Sequence, residues 1–122
     1  MYLYMVKTER LFVYGTLRKG GTAHELMSNC TLLEAGVRVT GFKLYDAGEY
    51  PFAWYTSDPE DTITGDLFEL NEGILPVLDE YEGDEYQRIV LPALECYIYV
   101  IKNDKAPLLP VIYGGDWLLY KK

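Results

Sequence analysis

Histidine is almost missing from this chain: there is one, His24, in 122 residues. Cysteine is nearly as scarce, with Cys30 and Cys96 far apart in sequence. That scarcity removes the ligand spacings that build zinc and related centres, so no metal site is expected. The two cysteines read as small buried hydrophobes. Only His24 is available to activate either thiol, and no local motif joins it to one. Basic residues are also few, 11 Lys and Arg against 19 Asp and Glu, for a net charge of −8. Nucleic-acid binding relies on clustered cations that neutralise phosphates. The basic groupings here are only Arg18-Lys19 and Lys121-Lys122, so no nucleic-acid partner is expected. Long apolar runs are lacking too; none reaches the ~20 residues that span a bilayer. Met1 to Lys7 has neither the long apolar centre nor the small-residue cleavage site of a secretory leader. A cytoplasmic protein without a membrane partner is the expectation.

Tyrosine, by contrast, is plentiful: twelve, against four Phe and two Trp. With 49% hydrophobic residues the chain can bury one sizeable core, and a single domain over residues 1–122 is expected. Tyrosine has an apolar body and a polar tip, which suits either the wall of a half-wet cavity or the rim of a sheet. The exposed aromatic content is compatible with a monomer or a homodimer. No repeat, linker or low-complexity tract interrupts the chain.

Leu11 to Tyr14 reads as a short buried strand. Gly20-Gly21 breaks the chain, and Thr22-Ala23-His24-Glu25 has the form of a capping box that opens a helix. Ala23, Leu26, Met27 and Cys30 give that helix an apolar face. His24 lies just off that face, with its ring at the surface or in a hydrogen bond. Val37 to Tyr45 is rich in β-formers, with Gly41 as a bulge or bend. Further strands are expected over Phe52–Tyr55, Thr62–Leu70, Tyr86–Val90 and Cys96–Ile101, with Asp116–Tyr120 as a strand or edge. A second helix starts after Gly73, tolerates Pro76 in its first turn and ends at Gly83. Many short strands with two helices exclude a repeating βαβ layout. The predicted fold is α+β and strand-dominated: a small mixed β-barrel with two packed helices.

Two segments could carry chemistry. In the second helix Ile74, Leu75, Leu78 and Tyr81 form an apolar stripe, and Glu82 occupies the next position on it. Five of the seven residues from Asp79 to Glu85 are acidic. A carboxyl group on a core-facing stripe among like charges should hold its proton more tightly than usual. Glu82 is therefore either a proton carrier in a cleft or part of a solvated acidic helix end, paired with Arg88 or a lysine. The second segment is Tyr14-Gly15-Thr16-Leu17, where a strand ends. It makes either a simple turn or a set of backbone N–H donors facing a ligand oxygen.

Taken together, Tyr14-Gly15-Thr16-Leu17-Arg18, Gly20 and Leu78-Asp79-x-x-Glu82-Gly83 with Tyr86 and Arg88 resemble the γ-glutamylcyclotransferase-like family, which includes the γ-glutamylamine cyclotransferases and AIG2-like proteins. Gly41-Phe42-Lys43-Leu44-Tyr45-Asp46, Tyr50-Pro51, Gly65-Asp66-Leu67-Phe68-Glu69 and Gly115-Asp116-Trp117 extend the likeness from Leu11 to about Trp117. The resemblance implies a pocket that takes a small γ-glutamyl substrate and closes its glutamyl group to 5-oxoproline, releasing an amino acid or amine, with no cofactor and no metal. It implies Glu82 as the general acid/base and Tyr14, Gly15, Thr16 and Leu17 as the substrate-binding loop. Arg18, Tyr50 and Tyr86 are further pocket candidates, Arg18 either holding a substrate carboxylate or lying at the surface. A binding module without turnover, or hydrolysis of a larger γ-glutamyl conjugate, would use the same residues. Phe52-Ala53 and Ala23 depart from the family pattern, which places a smaller residue after Tyr50-Pro51 and an amide before His24.

Overall fold

The computed structural model describes residues 9–102 and 108–122; Met1 to Lys7, read above for a leader, lie outside them. Strands dominate. β1 (Arg10–Val13) is followed by a 3-10 turn at His24–Met27, then β2 (Thr31–Thr40), β3 (Phe42–Asp46), β4 (Pro51–Tyr55) and β5 (Thr62–Glu69). Helix α1 (Ile74–Glu82) leads into β6 (Tyr86–Leu91), a second 3-10 turn at Pro92–Leu94, β7 (Cys96–Ile101) and the short helix α2 (Trp117–Tyr120). Among the described residues no helix is long and apolar enough to cross a membrane.

The strands form a five-stranded mixed sheet in the order β2-β5-β1-β7-β6 and a separate β3–β4 hairpin. β1 runs antiparallel to β5 and parallel to β7. The strand-dominated α+β class is as predicted, but the barrel is not: the ladders among the described residues do not close on themselves. One reason is Gly41. Its φ of +92° suits glycine, and its carbonyl accepts from Thr56 and Ser57. The β-rich run from Val37 to Tyr45 is thus cut into β2 in the large sheet and β3 in the hairpin.

β1 sits inside the sheet and buries both faces. Leu11 and Val13 join one apolar cluster with Leu75 and Leu78 of α1, whereas Phe12 and Tyr14 join the other with Ile63, Ile98 and Trp117. Alternation along a strand makes this division unavoidable. The two cores meet where β1 ends, and there the Tyr14–Leu17 loop emerges.

Helix α1 ends as the sequence predicts: Gly83 adopts φ +83° and its N–H closes on the Asp79 carbonyl. Two other predictions need correction. The Thr22 capping box does not form; Ala23 precedes a single 3-10 turn, and no side chain caps it. Asp116–Tyr120 is not a strand. The Asp116 carboxylate accepts from the Leu119 N–H, starting one helical turn, and Trp117 is buried. Trp-Leu-Leu-Tyr has strong β-formers, but the cap and the burial of Trp117 decide its conformation.

Candidate active site

A cavity of about 240 Å³ opens at the end of β1. Its wall on the β1 side runs from Phe12 through Tyr14 to Leu17, and Tyr81 and Glu82 of α1 face it. Tyr50 and Pro51 from the β3–β4 hairpin, Tyr86 of β6 and Tyr99 of β7 complete the lining. Pockets for drug-sized ligands occupy roughly 300–1,000 Å³, so this one suits a smaller metabolite.

Gly15 is required where it stands: a Cβ there would come 2.8 Å from Pro51 Cδ. Three of the loop's carbonyls are engaged. Gly15 accepts from the Arg18 N–H, Thr16 from the Ala23 N–H, and Leu17 lies 3.2 Å from His24 Nδ1. The N–H groups of Gly15, Thr16 and Leu17 have no acceptor among the described residues. Three successive donors of this kind match the requirement for meeting an anionic oxygen. His24 is therefore a brace for the loop rather than a partner for a thiol; the Cys30 thiol donates to Asn71 Oδ1, and burial pushes the Cys96 thiol up to about 11.

Glu82 reaches the cavity from the last turn of α1. Burial, with the charge of Asp79 added, pushes its carboxyl from an ordinary 4.5 up to about 7. No cation pairs with it among the described residues. Arg88, one of the two partners considered above, pairs instead with Asp79: Nε to Oδ1 at 3.0 Å and the second nitrogen to Oδ2 at 3.1 Å. Tyr14 and Tyr86 face the same cavity. Burial and then neighbouring groups, Glu82 included, raise both phenols above their ordinary range, so they stay neutral. Each hydroxyl donates to a backbone carbonyl, Tyr14 to Tyr99 at 2.6 Å and Tyr86 to Pro51 at 2.7 Å. These bonds tie the cavity wall to β7 and β4.

Of the predicted residues, Glu82, Tyr14, Gly15, Thr16, Leu17, Tyr50 and Tyr86 come together. Arg18 does not join them. Only 8% exposed, it is neither a pocket cation nor a surface arginine. Its guanidinium bridges Asp66 at 3.4 Å and Asp116 at 3.0 Å. Asp66 also accepts from the Lys19 and Gly36 N–H groups at 3.0 and 3.1 Å. This buried brace holds the chain just past the loop. Phe52, where the chain departs from the family pattern, is not among the lining residues; its ring packs 5.4 Å from that of Tyr86. Tyr99 had no place in the sequence reading, and Asp79 appeared there only in the acidic run and the family motif, without a partner. An acid inside an apolar strand could have singled out Asp66, whereas the partners of Asp79 become visible only in three dimensions. Tyr81 is 43% exposed rather than inward, and its hydroxyl reaches Thr16 Oγ1 at 2.7 Å.

Comparison with known proteins places the chain in a family. The model described as Gamma-glutamyl cyclotransferase, AIG2-like, matches residues 11–119. The chain is 34% identical over 131 positions to the Gamma-glutamylaminecyclotransferase of Rattus norvegicus, covering 88% of this chain and 82% of that one. It is also 34% identical over 114 positions to the Gamma-glutamylcyclotransferase family protein YtfP of Escherichia coli (strain K12), covering 89% and 96%. Among solved structures, an AIG2-like protein from Mus musculus aligns with a TM-score of 0.68 and 28% identity, over 86% of each chain. The chain belongs to the γ-glutamyl cyclotransferase, AIG2-like family.

Proposed function

We propose that this protein, acting as one domain, is a γ-glutamylcyclotransferase that closes the γ-glutamyl group of a small substrate to 5-oxoproline and releases the attached amine or amino acid. The observation that carries this reading is Glu82: a carboxyl group in a small cavity, with no cation against it among the described residues, holding its proton up to about pH 7. The Glu82 carboxylate takes a proton from the substrate α-ammonium. The freed nitrogen attacks the substrate's own γ-carbonyl carbon, and the carbonyl electrons move onto oxygen. N–H groups of the Gly15–Leu17 loop receive that oxyanion; one such donor is typically worth about 10²–10³ in rate. The oxyanion then collapses, the bond to the leaving nitrogen breaks as Glu82 returns the proton to it, and the ring nitrogen gives up its second proton, which the released amine takes up to leave as an ammonium. A carrier with a proton affinity near the working pH suits both transfers. Enclosure holds the glutamyl chain curled, which brings amine and carbonyl together without a second encounter.

The test is product analysis across a panel of γ-glutamyl amino acids and γ-glutamylamines. 5-Oxoproline appearing one-to-one with a released amine is the expected result. Glutamate in place of 5-oxoproline would indicate hydrolysis and overturn the cyclisation.

A further inference from the structure

Asp79 stands three residues before Glu82, so the two side chains share one side of α1. Two like charges so placed need a reason. Asp79 takes both guanidinium bonds from Arg88 of β6, and its Oδ1 also accepts from the Tyr99 hydroxyl of β7 at 2.6 Å. Arg88 is held in turn over the Tyr97 ring, 4.6 Å from its centroid. The Tyr99 carbonyl accepts from Tyr14, so one connected set runs from Arg88 through Asp79 and Tyr99 to the wall of the cavity. It fastens the final turn of α1, the turn that carries Glu82, to two strands of the sheet.

We propose that Asp79 is the positioning residue for Glu82: clamped by Arg88 and Tyr99, it fixes the end of α1 over the cavity and sets the field in which Glu82 gains and loses its proton. This rests on the catalytic reading of Glu82 above. The groups around Glu82 are Asp79 on its own helix, Tyr14 at the end of β1, Tyr86 on β6, Tyr99 on β7, and Tyr50 in the hairpin, with Arg88 of β6 paired to Asp79. The phenols of Tyr14, Tyr50, Tyr86 and Tyr99 all lie above their ordinary range and carry no charge near neutrality. The Arg88 guanidinium holds the Asp79 carboxyl below its ordinary value, so Asp79 is an anion throughout the range in which Glu82 titrates. The charge beside Glu82 is that of Asp79, which Arg88 neutralises in part, and each of the two can be removed separately.

The experiment follows the Glu82 carboxyl carbon by NMR in protein enriched with carbon-13 at glutamate carboxyls, with its signal assigned by its loss in Glu82→Gln. Asp79→Asn removes the anion beside Glu82, so the Glu82 midpoint should fall by about half a pH unit or more. Arg88→Gln leaves that anion without its neutralising partner and should raise the midpoint. A purely structural clamp would move both variants the same way or not at all, and either result overturns the proposal. Should Asp79→Asn fail to fold, Arg88→Gln decides alone: a raised midpoint supports the proposal and an unchanged one contradicts it. The rate–pH profile of 5-oxoproline release is then recorded for the same variants. Midpoints that move as expected while the rate profile stays fixed would uphold the role of Asp79 and refute that of Glu82.

Discussion

Asp66 and Glu82 are both carboxyl groups withdrawn from water, and their surroundings differ in kind. Asp66 lies in the middle of β5, 1% exposed, and its oxygens meet Arg18 and two backbone N–H groups. Glu82, at the end of a helix, is less deeply buried but has no cation against it among the described residues. Its nearest charge is another carboxylate. Burial with partners makes a brace; burial without them leaves a group that holds or releases a proton close to neutrality. Depth alone would have singled out Asp66 rather than the acid proposed to carry the chemistry. The difference lies in what the fold places opposite each one.

That contrast can be broken from the Asp66 side first. Asp66→Ala leaves the buried Arg18 guanidinium with Asp116 alone. Breaking a buried pair costs about 3–5 kcal/mol, so the melting temperature should drop by about 10 °C or more. A melt within a degree or two of wild type would remove Asp66 from the structural side of the comparison.

Glu82→Gln should act on stability with the opposite sign. The folded protein holds the Glu82 proton more tightly than the unfolded chain, about 7 against an ordinary 4.5. Between those values the native state binds the extra proton, so stability falls as pH rises through that window. Above pH 7 the ionised group costs the native state roughly 3 kcal/mol, which the amide does not. Glu82→Gln should therefore melt several degrees higher at pH 8 and equally with wild type below pH 4.5. Equal melting at both pH values would show that Glu82 is not held out of water.

A smaller effect belongs to the mouth of the cavity. Tyr81→Phe removes the 2.7 Å contact between Tyr81 and Thr16 at a partly exposed site. It should cost about 0.5–1.5 kcal/mol of stability by denaturant unfolding and leave the reaction product unchanged. A loss well beyond that would make the Tyr81–Thr16 contact part of the brace rather than of the rim.

Much of this arrangement was legible in the sequence because it is local. The spacing of Ile74, Leu75, Leu78 and Glu82, with Gly83 as stop, defined α1 and placed one acid on its inner side. Tyr14-Gly15 marked a strand end with a special backbone. Pairings between distant positions were not legible. Arg18 lies 48 residues from Asp66 and 98 from Asp116, and no periodicity connects them. Arg88 was open to pairing with Glu82; the fold delivers it to Asp79, together with Tyr99 from the neighbouring strand. Tyr81 continued the apolar stripe on paper, but its hydroxyl is drawn out to Thr16. Asp116–Tyr120 failed as a strand because four apolar and aromatic residues carry no period of their own, and the capping carboxylate settled the matter.

The most direct measurement is 5-oxoproline formation by wild type and Glu82→Gln, under identical conditions, with matched circular dichroism showing both folded. The account predicts product from the wild type and a fall of about 10²–10⁴-fold in the variant, the usual worth of a positioned acid/base. Equal product from both would contradict it and return Glu82 to the ordinary acids of the helix end.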